Sequence, residues 1–385
     1  MSRRIPTGQD VYKEAVQRMR VLYAEDARVV VSFSGGKDST VLLNVCAEAA
    51  EAEGRGPVEV MAQDEEVAYP GTYEFWERTA ARPDVDFNWL VCGQPMVNLF
   101  NRPQPYWWTF DSRLQPSEWV REPPEWATWV RDINIEALTN PTRFPVQEGQ
   151  RLIAAIGLRT SESRGRMYGI HSSKGYLTKP NRLGVTNARP VYDWSDGDVW
   201  KAILDHGWDY NEAYDVFARM GVKKTELRIG PPTMTAEAVD KLDLAWRAWP
   251  QWFDKVCKRL PGIRTAALYG KRAVLPDRRS SESWEACFQR TCIHDSPEWI
   301  QRRAKKVRDV VLHLHARHAT APLPEVSPCH TCPGNLGSWK RLTLALYSGD
   351  PFCTKTGSTG RQAIGFVEPE QFRDGAGTWG GTPTW

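Results

Sequence analysis

A β-branched run, Val29 to Phe33, breaks into Ser34-Gly35-Gly36-Lys37-Asp38-Ser39, after which a helical pattern runs from Ser39 to about Glu53. A buried-type strand that ends in a glycine-rich turn and restarts as a helix belongs to a parallel sheet, because parallel neighbours need long crossover connections. Further apolar runs repeat the theme at 58–62 (VEVMA), 87–91 (FNWLV) and 151–157 (RLIAAIG), with a helical pattern at 73–81. Val11, Ala15, Met19 and Leu22 predict an amphipathic helix before the first strand. The expected class is therefore α/β, a parallel-sheet, Rossmann-like core with helices on both faces.

The break itself carries chemistry. Open parallel sheets bind ligands beyond the carboxyl ends of their strands. A glycine-rich turn that starts a helix offers free backbone N–H groups there, backed by the helix dipole. Gly35 and Gly36 let the backbone approach an anion closely, Ser34 and Ser39 add hydroxyl donors, and Lys37 adds positive charge. The physical reading is phosphate binding. Asp38 beside that anion needs a Mg²⁺ ion or a hydrogen-bonded role to be tolerated. The spacing matches neither the GxxxxGKS loop nor GxGxxG.

At 385 residues the chain suggests two domains. We place a nucleotide-binding domain at 1–232, interrupted by a Trp/Pro-rich insertion at about 93–150. A mostly helical, cysteine-containing lobe follows at 233–370, then a Gly/Thr-rich, flexible tail at 371–385. The net charge of +3 carries no whole-chain signal for nucleic acid or membrane. No apolar stretch is long enough to span a bilayer, and no apolar segment follows the N-terminal arginines, so a cytoplasmic location is expected. Within the insertion, Arg102, Trp107, Trp108, Arg113, Trp119, Arg121, Trp126, Trp129 and Arg131 interleave aromatics with cations. That pattern fits either bases stacked on a nucleic-acid surface or tryptophans packed back on the protein.

The cysteines split by context. Cys46 and Cys92 sit in apolar surroundings and read as small core residues. Cys287-x4-Cys292 and Cys329-x2-Cys332 form two close pairs that suit a tetrahedral Zn²⁺ or a [4Fe–4S] cluster. His294 and His330 are spare ligands, whereas His313, His315 and His318 read as surface residues of a basic helix. Cys257 and Cys353 have no place in the set.

The motifs carry a resemblance. SFSGGKDS resembles the PP-motif of the N-type ATP pyrophosphatase superfamily, and within it the phosphoadenosine phosphosulfate (PAPS) reductase-like family. DEEVAYPGTYEF at 64–75, GLRTSESRGR at 157–166 and RPVYDWSDGDVWKAI at 189–203 are similar to three further elements of that family, in family order. The resemblance implies an adenine nucleotide alpha-hydrolase-like fold and nucleotide contacts from Ser34, Gly35, Gly36, Lys37, Asp38 and Ser39. It implies Asp64 at the adenosine, a wall of Tyr69, Pro70 and Thr72, and Arg159, Arg164 and Arg166 at the phosphates. WDYNEAYDVFARMGVKKTELRIGPP at 208–232 resembles the co-activator-like and phage-borne branch. The implied activity is that of an ATP pyrophosphatase or adenylating enzyme using Mg-ATP, with Lys37, Asp38 and Arg159 as its catalytic residues. It would act in sulfur transfer or nucleic-acid modification, with tRNA or DNA as acceptor and a sulfur-donor protein as partner. Relatives with iron–sulfur clusters favour [4Fe–4S] over zinc. Two alternatives stand beside this reading. One is a PAPS or adenylyl-sulfate reductase, although the family's terminal Glu-Cys-Gly nucleophile is missing here; the other is a nucleotide-binding regulator without catalysis.

Overall fold

The structure, a computed structural model, describes residues 8–130, 138–232, 239, 241–332 and 336–372. Arg131 of the insertion and residues 373–385 of the expected tail lie outside the described residues. The chain forms two compact units. One takes residues up to Gln94 together with Thr109–Pro231, and the other takes Pro95–Trp108 together with the residues from Pro232 on.

The first unit is the expected α/β core. Its elements are α1 (Val11–Ala24), β1 (Arg28–Ser32), α2 (Lys37–Ala52), β2 (Val58–Asp64), α3 (Thr72–Ala80) and β3 (Val85–Val91), then β4 (Thr128–Trp129), β5 (Leu152–Ile156), α4 (Arg164–Ser173), β6 (Val185–Ala188), α5 (Asp196–Asp205) and α6 (Ala213–Arg219). Asp10 starts α1 by accepting hydrogen bonds from the N–H groups of Tyr12 and Lys13. The strands lie in the order β4-β3-β2-β1-β5-β6, and all neighbours pair in parallel. The chain winds outward from β1 first to one side and then, with β5, to the other. The crevice at this reversal opens beyond the carboxyl end of β1, where the Gly35-Gly36 turn sits.

Both sheet faces are buried, which explains why β1 is apolar without alternation. Val30 packs with Met61, Leu90, Leu152 and Val185 of its neighbours, covered by Leu138 and Phe144. Val29 and Val31, of opposite parity, are buried as well. Cys46 lies fully buried on α2 and Cys92 just after β3, as core residues.

The second unit joins an antiparallel ribbon, Pro95–Val97 with Tyr106–Trp108, to helices α7 (Leu242–Ala248), α8 (Pro250–Arg259), α9 (Ile263–Tyr269), α10 (Trp284–Phe288), α11 (Glu298–Ala316), α12 (Trp339–Leu346) and α13 (Gly357–Ile364). Phe288, Val307, Val311, Leu342 and Leu346 build its main core. The ribbon is tied in by Tyr106 and Trp108 packing on Trp299, Ile300 and Val367, and by the Tyr106 hydroxyl donating to the Val367 carbonyl at 2.7 Å. Arg102 donates to the carbonyls of Tyr347 (3.0 Å) and Thr291 (2.8 Å). Trp107 is buried with the Arg259 guanidinium 5.4 Å above its ring.

In the first unit, Trp119 and Trp129 close around Phe110, Arg113 pairs with Asp111, and Trp126 remains half exposed. Most of the aromatic–cation pattern of the insertion is thus taken up internally. Among the described residues, no helix is long and apolar enough to cross a membrane.

Candidate functional site

The turn after β1 is shaped by unequal demands on its two glycines. Gly35 adopts φ +72°, and a Cβ there would lie 2.5 Å from Trp76 Nε1. Gly36 caps α2 with extended backbone and offers no side chain of its own to the amides of the first turn. The turn also braces itself. Ser34 and Ser39 hydroxyls lie 3.2 Å apart, and Ser39 and Thr40 both donate to the Gly36 carbonyl, at 2.9 and 3.0 Å. The Lys37 amide donates to the Tyr214 hydroxyl at 2.8 Å, which ties α6 to the start of α2.

Asp38 is tolerated beside this amide cradle because cations surround it. Arg159, fully buried, donates from Nε to Asp38 Oδ1 at 2.7 Å and from Nη2 to Asp196 Oδ1 at 2.9 Å. Lys37 Nζ stands 3.5 Å from Asp196 and 3.8 Å from Asp38, and donates to the Leu227 carbonyl at 3.2 Å. Burial pushes the Lys37 pKa down, against the pull of Asp38. The expectation for Arg159 needs revision. Its guanidinium bonds two carboxylates and is not among the residues that line the cavity. Arg164 is exposed and also outside the lining, whereas Arg166 lines the cavity beside its partner Glu162. Burial and the neighbouring Arg228 guanidinium push the Arg166 pKa below its usual value. Arg228, which lies within the 208–232 stretch but was not among the expected site residues, lines the same cavity.

The cavity has a volume of about 530 Å³, within the range of small-molecule sites. Strand parity decides what β2 gives it. Met61, Gln63 and Glu65 line it, and Asp64, pointing the other way, does not. Asp64 is fully buried and accepts from Trp89 Nε1 (2.9 Å), Arg121 Nη1 (2.6 Å) and the Glu66 amide (2.9 Å). Asp64 therefore buttresses the wall, with Arg121 stacked on Tyr73 at 3.8 Å. Thr72 of the expected wall does reach the lining, whereas Tyr69 packs against Phe217.

Two lining side chains hold buried donors without a partner among the described residues, Gln63 Nε2 and Trp76 Nε1. Buried donors left unmade are costly. Burial, aided by the Asp64 charge, pushes Glu65 up to about 7. With a folded pKa above the ordinary 4.5, the stability this carboxyl contributes is full at low pH and is lost as pH rises from about 4.5 to about 7. We expect Glu65→Gln to raise the melting temperature at pH 8 and to change it little at pH 5, a comparison two thermal scans provide.

The late cysteines do not gather as four. His315 and His318, at the end of α11, lie with Cys329 and Cys332, and their four donor atoms are all within 4.8 Å of one another. Cys287 and Cys292 are outside this group. Both are buried near Thr291, and the Cys292 thiol faces the Thr343 carbonyl at 3.9 Å. The structure thus groups Cys329 and Cys332 with two histidines, and does not bring the expected four cysteines together. His315 is buried where a surface residue was expected, because the last turns of α11 pack over the CxxC loop. His294, His313 and His330 are exposed and take no part.

Comparison with known proteins agrees with these motifs. The family model described as the phosphoadenosine phosphosulfate reductase domain matches residues 28–225. The protein YbdN of Escherichia coli (strain K12) is 24% identical over 379 residues, covering 91% of each chain. An adenosine 5'-phosphosulfate reductase of Staphylococcus saprophyticus is 22% identical over 190 residues, covering 49% of this chain and 65% of that one. Among solved structures, FMN adenylyltransferase of Candida glabrata in complex with ATP aligns with TM-score 0.34 and 13% identity, over 55% of this chain and 61% of that one. PAPS reductase of Candida auris aligns with TM-score 0.32 and 15% identity, over 53% and 85%. The matched family span takes in the Gly35-Gly36 turn, the strand that ends at Asp64 and the Arg159–Arg166 element, and it covers just over half of the residues: the chain belongs to the phosphoadenosine phosphosulfate reductase domain family.

Proposed function

We propose that the cavity binds Mg-ATP and that the protein is an adenylating ATP pyrophosphatase. The observation that carries this reading is the glycine turn at Gly36, a helix start without a side-chain N-cap, opening on a cavity lined by Lys37, Arg166 and Arg228. The phosphates would rest on the first turn of α2, where free amides and the helix dipole favour anions. Magnesium enters with the nucleotide as part of the substrate. Asp38 is a poor ligand for it, since both of its oxygens face Arg159, at 2.7 and 3.4 Å.

An acceptor oxygen attacks the α-phosphorus, the bond to the β-phosphate oxygen breaks, and pyrophosphate leaves. Lys37, Arg166 and the amides stabilise charge that builds on the leaving oxygens. A sulfur or nitrogen nucleophile then displaces AMP from the adenylated acceptor. That acceptor belongs to the class of tRNA or DNA bases by resemblance, with sulfur supplied by a donor protein. In this scheme Arg159 acts through Asp38 and Lys37, as a positioning residue.

Reduction of a sulfonucleotide is the second reading, favoured by the family and by the paired Arg166 and Arg228, which suit an additional anionic group. It requires a nucleophilic thiol. Among the described residues no cysteine lines the cavity, and burial pushes the Cys46 thiol well up. Calorimetry with Mg-ATP and with PAPS on one anaerobic sample tests both readings, because binding needs no acceptor. We expect Mg-ATP to bind and PAPS to bind at least tenfold more weakly. The reverse preference would install the reductase reading, and binding of neither would end both. Binding without any turnover in the presence of candidate acceptors would leave a nucleotide-binding regulator.

A further inference from the structure

We propose that His315, His318, Cys329 and Cys332 form a closed structural zinc site that holds the CxxC loop onto the end of α11. This goes beyond the nucleotide reading and does not depend on it. His315 Nδ1 lies 3.3 Å from Cys332 Sγ, and His318 Nε2 lies 3.4 Å from Cys329 Sγ and 3.6 Å from Cys332 Sγ. Nitrogen and sulfur ligands of one tetrahedral zinc, bonded at about 2.1 and 2.3 Å, stand roughly 3.6 Å apart. The donors are thus spaced as they would be around a single ion, and all four lie within 4.8 Å. A four-iron cluster would place a cube of metal and sulfide between its ligands and spread them further.

The outer shell agrees. His315 Nε2 lies 3.1 Å from the Ala321 carbonyl, which acts as its acceptor, so the N–H sits on Nε2 and the Nδ1 lone pair turns toward the thiols. A ligating histidine fixed by a carbonyl on its other nitrogen is the usual arrangement at zinc. The loop is built to close. Cys329 N–H donates to the Gly337 carbonyl at 2.8 Å, and a Cβ on Gly337 would lie 2.5 Å from the Cys329 carbonyl oxygen. The order is His-x2-His, ten residues, Cys-x2-Cys, with two ligands at helical spacing and two on a tight loop. Four protein ligands leave no open position, which makes the role structural and not catalytic. Cys287 and Cys292 are then plain core thiols.

The test uses the full chain, purified anaerobically, with metal and acid-labile sulfide quantified. We expect one zinc per chain and no sulfide. Cobalt exchanged for zinc should give tetrahedral d–d bands and a charge-transfer intensity appropriate to two thiolates, about half that of four. In the presence of a competing chelator, His318→Gln and Cys329→Ser should lose the zinc, whereas Cys287→Ala and Cys292→Ala should keep it. His318 is exposed, so its replacement buries nothing new, and an unchanged circular dichroism spectrum will show that loss of metal is not loss of fold. Iron with sulfide, four-thiolate cobalt intensity, zinc lost from Cys287→Ala, zinc kept by His318→Gln, or a wild-type chain that takes up neither zinc nor cobalt would each overturn the proposal.

Discussion

Replacing Arg159 by alanine is expected to lower stability by about 3–5 kcal/mol, the cost of removing one partner from a buried ion pair. The guanidinium is fully buried between Asp38 and Asp196, and without it these two partly exposed carboxylates keep Lys37 as their near counter-charge. Asp38→Asn in the same background should recover part of the loss, because the uncompensated charge goes with it. Urea titration of the two single variants and the double variant measures this directly. A loss under about 1 kcal/mol for Arg159→Ala, additive with Asp38→Asn, would mean that the charges are screened by water and do not hold the turn. On our reading of the site, nucleotide affinity should fall in parallel, since the freed Asp38 carboxylate would face the phosphates.

The second large effect separates two neighbouring residues of the same type. Gly35→Ala forces a Cβ onto a left-handed backbone, at about 1–2 kcal/mol, and also drives it into the Trp76 ring at 2.5 Å. Trp76 is buried and cannot swing clear without opening the cavity wall. We expect the turn to shift and Mg-ATP affinity to drop on the order of 100-fold, equivalent to about 3 kcal/mol. Gly36→Ala has an ordinary φ of −82° and meets nothing nearer than Ser34 Oγ at 3.3 Å. That hydroxyl can give way, so its melting temperature should stay within a few degrees of wild type. Equal effects at the two positions would refute this account of the turn.

Much of the fold was legible because its signals are local. A strand buried on both faces has to be apolar without alternation, and Val29–Val31 and Leu152–Ile156 show this, whereas Val58–Asp64 breaks its apolar run at Glu59, Gln63 and Asp64. Short edge strands such as Thr128–Trp129 carry no such signal, and their place is set by the neighbour they pair with. The turn at Gly35-Gly36 was equally plain.

What the site adds beyond that turn depends on parity and on partners distant in sequence. The family resemblance places Asp64 at the adenosine, yet Gln63 and Glu65 face the cavity together with Met61 of the same parity. Arg159 looked like a phosphate ligand until its two carboxylates, 121 and 37 residues away, came into view. The histidines failed for a related reason. On a basic helix they read as solvated, and only the loop that folds over its end makes His315 a buried residue.

The ribbon at 95–108 has a bearing on how this chain must be synthesised. It emerges from the ribosome early, carrying Tyr106, Trp107 and Trp108, yet its docking partners include Arg259, Trp299, Tyr347 and Val367. Until those residues are made, three large aromatic rings have no permanent cover. Shortening the gene to end near Pro231 would make that exposure lasting, and the product should aggregate although it retains every strand of the parallel sheet.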